Sequence, residues 1–203
     1  MRLYKTLITG AFLFLLGAVS SFGITFDLNC VLSNNACTAF PASFGTVKIT
    51  DISGGVNVTV DTAAGGKFKD LFLNLNINPG TLSTPALYSS NSFQLNPYNG
   101  LFDIGSQTSP SKGIDGPDGY SFAILGSVTA ANFLALDSLG LVNVAVHLQE
   151  IDCTSQSCVS GGGSIKVGGT YVPGGNNDVP EPATYLIAGG TLISMYLLRR
   201  KNA

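Results

Sequence analysis

Period-two alternation of apolar and polar residues is the feature that most restricts the folds open to this chain. It is clearest in three runs: Val56 to Val60, Leu71 to Ile77 and Val142 to Gln149. In each run apolar residues occupy every second position, and mostly polar residues lie between them. Because successive side chains of a strand point to opposite faces, this pattern predicts strands that bury one face.

Shorter segments extend this pattern, and turns rich in glycine and asparagine separate them. They are Thr46 to Thr50, Leu101 to Ile104, Tyr120 to Leu125 and Ser164 to Val167. Only Thr129 to Asp137 is typical of a short helix, with Thr129 as its N-cap. The sequence therefore predicts an all-β fold over residues 24–167, an antiparallel β-sandwich of two sheets or a jelly roll. Residues 168–178, rich in Gly and Asn, are expected to form a flexible linker.

The N-terminus has the layout of a secretory signal peptide. Arg2 and Lys5 precede an apolar run from Leu7 to Val19, and small residues follow the run. We therefore expect residues 1–23 to engage the secretion translocon and to be removed. The alternative is an uncleaved membrane anchor.

The C-terminus combines a proline motif, an uncharged apolar run and a basic end. The motif spans residues 179–182, the apolar run spans 183–198 and the basic end spans 199–201. A helix of this length measures about 24 Å, and flanking residues extend it towards the bilayer core of about 30 Å. Cations that follow such a run stay on the cytoplasmic side. The tail therefore predicts one C-terminal transmembrane helix with the β-domain outside, and a buried helix of a soluble domain is the alternative.

This order closely resembles the PEP-CTERM sorting signal of exported bacterial proteins, over residues 179–203. The resemblance implies that an exosortase, a membrane-embedded transpeptidase-like protease, recognises Pro180, Glu181 and Pro182 and that the helix is removed at or near the motif. In the same terms, Arg199, Arg200 and Lys201 stop and orient the chain in the inner membrane. Similar tails also occur on some ice-binding proteins, so the tail accompanies different ectodomains.

The resemblance also carries expectations about location and role. It implies an intermediate anchored in the inner membrane, and then a product at the cell surface or outside the cell. It links such proteins with exopolysaccharide production and with biofilm or floc formation in Gram-negative bacteria, which makes exopolysaccharide a candidate partner. The strand-rich body is similar to the ectodomains that often accompany these tails, most of which lack an established activity.

Charge excludes nucleic acid as a partner. Residues 24–179 contain five lysines, no arginine and eleven acidic residues, a net charge of −6. Nucleic-acid binding requires a basic patch, and this stretch has none. Charged residues make up only 11% of the chain, against about 25% in ordinary soluble proteins, so Asn, Ser, Thr and Gly supply the polar surface.

The four cysteines form two close pairs in the sequence, Cys30 with Cys37 and Cys153 with Cys158. An even number of cysteines in an exported chain predicts disulfides. Proximity favours local pairing, crossed pairing would tie the first strand region to the last, and a zinc site of all four is the rival interpretation.

Other candidate chemistry is sparse, and no cofactor is expected. His147 is the only histidine, and it lies opposite the apolar face of its strand, where we expect it to be exposed. A hydrolase would have to use it, but no Gly-x-Ser-x-Gly motif accompanies it. Asp115 and Asp118 lie in a turn that weakly resembles a calcium loop, to which Asp103 could be added by the fold.

Tryptophan is absent from the chain, so any aromatic platform for sugars would use tyrosines. The candidates are Tyr88, Tyr98, Tyr120 and Tyr171. The sequence thus predicts an exported, non-enzymatic surface or matrix protein. A carbohydrate-binding or adhesive module is the alternative, and a secreted hydrolase is a third interpretation.

Overall fold

In the part of the chain that the structure describes, the fold consists of antiparallel strands and two short 3-10 helices. A computed structural model describes residues 22–62, 67–83, 87–107, 114–115, 120–149 and 163–171. The strands are β1 Gly23–Ser33, β2 Ala36–Ala39, β3 Gly45–Ile52, β4 Gly55–Thr62, β5 Lys67–Leu73, β6 Leu87–Gln94, β7 Leu101–Gln107, β8 Ile114–Asp115, β9 Tyr120–Leu125, β10 Val144–Gln149 and β11 Ile165–Tyr171. The 3-10 helices are Pro79–Thr81 and Ala130–Leu134.

All eleven strands belong to one hydrogen-bonded sheet. Its order is β6-β7-β5-β10-β11-β1-β3-β4-β9, with β2 paired to β1 and β8 paired to β5, and every pairing is antiparallel. The prediction of an all-β antiparallel fold is confirmed. The prediction of two separate sheets is wrong, because a continuous sheet supplies both layers of the sandwich-like core.

The main core lies between the two ends of this curved sheet. Phe68 of β5 stacks on Tyr120 of β9, with ring centroids 5.2 Å apart, although five strands separate β5 from β9 in the sheet order. Neighbouring strands twist by about 20–25°, so a sheet this wide folds its two ends towards each other. The alternating apolar residues predicted from the sequence line this core, among them Val56, Val58 and Val60, which are fully buried.

A β-bulge in β1 gives the protein a second apolar cluster on the other face of the sheet. Pairing with β11 shifts register between Leu28 and Cys30. Leu28 therefore packs in the main core, whereas Cys30 and Leu32 belong to the second cluster, because an extra residue exchanges the faces of the residues that follow it. The rest of that cluster is Phe72, Leu95, Tyr98, Phe102, Val142 and Ala145.

Several predicted boundaries differ from the structure. The strand predicted to run to Ile77 ends at Leu73, although Leu75 and Ile77 still pack on the main core. The predicted helix is a single 3-10 helix, Ala130–Leu134, with Thr129 as its N-cap residue. Residues 168–171 continue β11 rather than starting a linker, because their backbone pairs with β1 and β10.

The β-domain corresponds to one compact unit, Gly23–Asn177. The rest of the chain, residues 1–22 and 178–203, lies outside the described residues apart from Phe22. The predicted signal peptide, proline motif, apolar run and basic end therefore all fall outside the description. Within the residues described, neither helix is long and apolar enough to cross a bilayer.

Candidate functional site

His147 forms a pair with Asp70 on the outer face of the sheet. The two residues are register partners on β10 and β5, and Nδ1 of His147 lies 2.9 Å from Oδ2 of Asp70. The two side chains are therefore within hydrogen-bonding distance across neighbouring strands. The expectation of an exposed histidine is wrong, since His147 is only 8% exposed. Its strand is covered on both faces, which an alternating pattern does not reveal.

This pair holds two of the three parts of a hydrolytic triad, an acid and a histidine that the acid orients. The third part would be a hydroxyl or thiol within reach of Nε2. Nε2 is buried and has no hydrogen-bond partner among the described residues. The geometry described here is therefore that of an oriented, packed histidine.

A second polar network lies within the second apolar cluster, on the outer face of the sheet. The hydroxyl of Tyr98 donates to Oδ2 of Asp137 at 2.6 Å, and both residues are buried. Oδ1 of Asp137 accepts from the backbone N–H of Leu141 at 2.8 Å and of Val142 at 3.2 Å. Asp137 thus links the loop before β10 to the loop that connects β6 with β7.

Gly100 makes this network possible. A Cβ atom at Gly100 would lie 2.0 Å from Oδ2 of Asp137 and 2.2 Å from Cε1 of Tyr98. Only glycine leaves room for the ring and the carboxylate to meet there. Burial and the neighbouring Asp137 carboxylate raise the pKa of Tyr98 above its usual value of 10, which keeps the hydroxyl in its donating form.

Asn143 ties the end of β11 to the 3-10 helix and is 3% exposed. Its Oδ1 accepts from the backbone N–H of Tyr171 at 2.9 Å. Its Nδ2 donates to the carbonyls of Leu134 and Ala135 at 2.7 and 2.9 Å. These bonds fix the last described residues before the C-terminal tail. This role of Asn143 was not predicted from the sequence, although a lone amide between Val142 and Val144 is a signal of it.

Cys30 and Cys37 form a disulfide, with Cα atoms 5.4 Å apart, across the β1–β2 hairpin. Local pairing is therefore right for these two residues, and crossed pairing and the four-cysteine zinc site are wrong. Cys153 and Cys158 lie outside the described residues. The bridge borders the second apolar cluster through Cys30.

The calcium candidates do not converge in the part of the chain that is described. Oδ2 of Asp103 accepts from the backbone N–H of Leu75 at 2.8 Å, so this carboxylate anchors the chain after β5. Asp115 belongs to β8, where its backbone pairs with Lys67, and Asp118 lies outside the described residues. Among the residues described, no group of three or more His, Cys, Asp or Glu side chains could hold a metal ion.

The tyrosines proposed as a sugar platform are used in packing where their side chains are described. Tyr98 is fully buried, and Tyr120 stacks on Phe68. Tyr171 meets Phe26 edge to face, with ring centroids 6.4 Å apart. These packing contacts account for the positions of the three tyrosines.

Beyond the β-domain, comparison with known families identifies the tail. Residues 178–201 match the family described as "PEP-CTERM protein-sorting motif". The match starts directly after the last residue of the compact unit, Asn177. The chain carries a PEP-CTERM sorting motif. The PEP-CTERM resemblance predicted from Pro180, Glu181, Pro182 and the residues after them is therefore confirmed, and it marks an exported protein that an exosortase-type enzyme processes.

The PEP-CTERM motif also implies a membrane-anchored sorting intermediate. It covers the tail alone and says nothing of the β-domain that it sorts. No curated protein matches the chain. No solved structure matches it either.

Proposed function

We propose that this protein is a non-enzymatic component of the cell surface or extracellular matrix, exported as a membrane-anchored precursor and delivered by exosortase processing. The PEP-CTERM motif at residues 178–201 is the observation that carries the proposal. The product is the β-domain, which acts as a structural or adhesive unit associated with exopolysaccharide and biofilm.

The polar clusters of the β-domain support a structural role. Asp137 accepts three hydrogen bonds that join two loops, and Asn143 secures the end of β11. Asp70 and His147 bond to each other across neighbouring strands. In each case the buried polar groups form hydrogen bonds within the fold, as most buried polar groups in proteins do.

Replacement of Pro180, Glu181 and Pro182 by alanine, in the native host, tests the sorting claim. We expect this variant to stay in the inner membrane with its C-terminus intact, because the processing enzyme no longer recognises it. Pro173→Ala, in the Gly- and Asn-rich stretch before the motif, is the matched control and should be processed normally. Normal release of the triple variant would contradict the proposal.

A second candidate function is carbohydrate binding, and the outer face of β4 and β9 favours it. Nδ2 of Asn57 donates to Oγ of Ser121 at 2.8 Å, and the hydroxyl of Thr59 lies 3.2 Å from the same atom. Lys48 and Thr25 extend this row across β3 and β1 in register with Thr59. Hydroxyl and amide groups aligned on a sheet, together with the Lys48 ammonium, can exchange hydrogen bonds with sugar hydroxyls.

A polysaccharide pull-down with the processed protein tests this second function. Specific binding that Asn57→Ala weakens and Thr38→Ala, on the exposed strand β2, does not would support a binding face. Absence of binding to host exopolysaccharide, with and without calcium, would leave the coating or spacing role as the better explanation.

An esterase, peptidase and glycosidase screen of the wild type and His147→Ala tests the hydrolase interpretation. That interpretation fails if neither protein shows turnover or if both show the same turnover.

A further inference from the structure

One end of the β-domain contains the start of β1, the turn between β3 and β4, and the segment from the end of β9 through the second 3-10 helix. We call it the entry pole, formed by Ile24 and by residues 51–55 and 124–136. Strand pairing brings these segments together, because Gly23 pairs with Thr50 while Gly55 pairs with both Ile52 and Leu125. The 3-10 helix joins them through the backbone N–H of Ala130, which donates to Oδ1 of Asp51 at 2.6 Å.

The entry pole is rich in exposed apolar side chains. Among the described residues that follow the predicted signal peptide, six large apolar side chains are exposed, and four of them lie at the entry pole. The four are between 37% and 50% exposed: Ile52, Leu125, Leu134 and Leu136. Ile52 and Leu125 stand on either side of Gly55 in one row of the sheet. Exposed apolar side chains grouped in this way indicate a surface that binds another protein or a membrane.

The entry pole is also almost free of charge. Its three segments contain a single charged residue, Asp51, whose carboxylate is engaged by Ala130. The opposite ends of the same strands and of their neighbours carry Asp61, Lys67, Lys69, Asp70 and Lys166. The β-domain is acidic as a whole, so this end meets an anionic surface with the least repulsion.

The chain leaves the β-domain at the same end. Tyr171, the last described residue of β11, pairs with Phe26, three residues after the start of β1. Asn143 connects Tyr171 to Leu134 of the entry pole. Seven residues later the PEP-CTERM motif begins, so the motif starts at most about 25 Å from Tyr171 along an extended chain.

We infer that the entry pole rests on the bilayer surface in the membrane-anchored sorting intermediate. The inference rests on the proposed function, which supplies the anchor. A tether this short keeps the pole at a high effective concentration next to the lipid, so weak apolar contacts suffice. The C-terminal tail leads to the bilayer, so we expect the entry pole to contact the bilayer interface and not a second copy of the chain. Docking holds the Pro180 to Pro182 segment close to the membrane, where its processing enzyme works.

Fluorescence of single-tryptophan variants tests the inference, because the natural chain contains no tryptophan. The chain without its predicted signal peptide, residues 24–203, is placed in phosphatidylethanolamine–phosphatidylglycerol vesicles, with or without lipids that carry brominated acyl chains. Ile52→Trp reports on the entry pole. Asp61→Trp is the matched control, since it is exposed on β4 and lies six residues, about 20 Å, along the strand from Gly55. Co-flotation with the vesicles measures the anchor separately.

For Ile52→Trp we expect brominated lipid to quench emission roughly two-fold, as for an apolar face that enters the interface, and little quenching for Asp61→Trp. Flotation with equal or no quenching of the two variants would overturn docking while leaving the anchor intact. A blue shift of Ile52→Trp that depends on protein density and is not quenched by brominated lipid would overturn it in favour of self-association. Failure to float would contradict the anchored intermediate and, with it, docking.

Discussion

The hydrogen bond between Tyr98 and Asp137 gives the sharpest stability prediction. Tyr98→Phe removes one hydroxyl and keeps the ring in the second apolar cluster, so the change in packing is small. The lost bond ends on a buried carboxylate, and such bonds contribute about 1.5–3 kcal/mol. We therefore expect the free energy of unfolding of the mature domain to fall by about this amount near neutral pH.

Asp137→Ala is the stronger perturbation of the same network. It leaves the Tyr98 hydroxyl and the N–H groups of Leu141 and Val142 without their acceptor. Unsatisfied buried donors cost about 1–3 kcal/mol each. The loss should therefore clearly exceed that of Tyr98→Phe.

The pH dependence of unfolding distinguishes this hydrogen bond from packing. The folded-state pKa of Tyr98 is raised, so its contribution is complete below pH 10, the unfolded value, and declines as the pH rises above 10. The decline approaches about 1.4 kcal/mol per pH unit for one proton. Tyr98→Phe lacks this titration, so the stability gap between wild type and variant should narrow between pH 9 and pH 11.

Urea unfolding followed by circular dichroism measures both effects. All other titrating groups are shared by the wild type and Tyr98→Phe, so they cancel in the difference. A gap that stays constant from pH 9 to pH 11, or a loss well under 1 kcal/mol near neutral pH, would refute the assigned role of the pair.

Three further changes test other parts of the fold by the same measurement. Gly168→Ala should cost about 1–3 kcal/mol, because its Cβ atom would lie 2.7 Å from a side-chain carbon of the second cluster, and an unchanged stability would be contrary to this geometry. Replacement of both Cys30 and Cys37 by alanine should lower the free energy of unfolding by about 2.5 kcal/mol, because the bridge closes a short loop, and an unchanged free energy would argue against the pairing. A double-mutant cycle with Asp70→Asn and His147→Gln should show a coupling of about 0.5–3 kcal/mol, whereas simple additivity would mean that the two side chains do not support each other.

Alternation in the sequence identified much of the sheet but not its faces. Tyr120–Leu125 has the predicted bounds, and Val144–Gln149 lies inside the predicted run. The strand β1 also alternates, yet the bulge after Leu28 moves Cys30 to the opposite face. No local signal in the sequence marks that exchange, because it depends on how β1 pairs with β11.

The polar sites were harder to predict because their partners are distant in the sequence. His147 has the predicted orientation but not the predicted exposure, since its side chain is buried and paired with Asp70 of the neighbouring strand. The partners Tyr98 and Asp137 are 39 residues apart, and neither belongs to a motif. The tail could be predicted because Pro180 to Pro182, the apolar run and the basic end are adjacent, so recognition needs no tertiary contact.

The most direct test of the sorting function is the intact mass of the protein from its native host, combined with cell fractionation. The proposed function predicts a product outside the inner membrane that lacks residues 1 to about 23 and everything beyond the Pro180 to Pro182 region. The same mass reports any attached glycan or lipid. A full-length C-terminus retained in the inner membrane would contradict exosortase delivery and would make the protein a permanently anchored ectodomain.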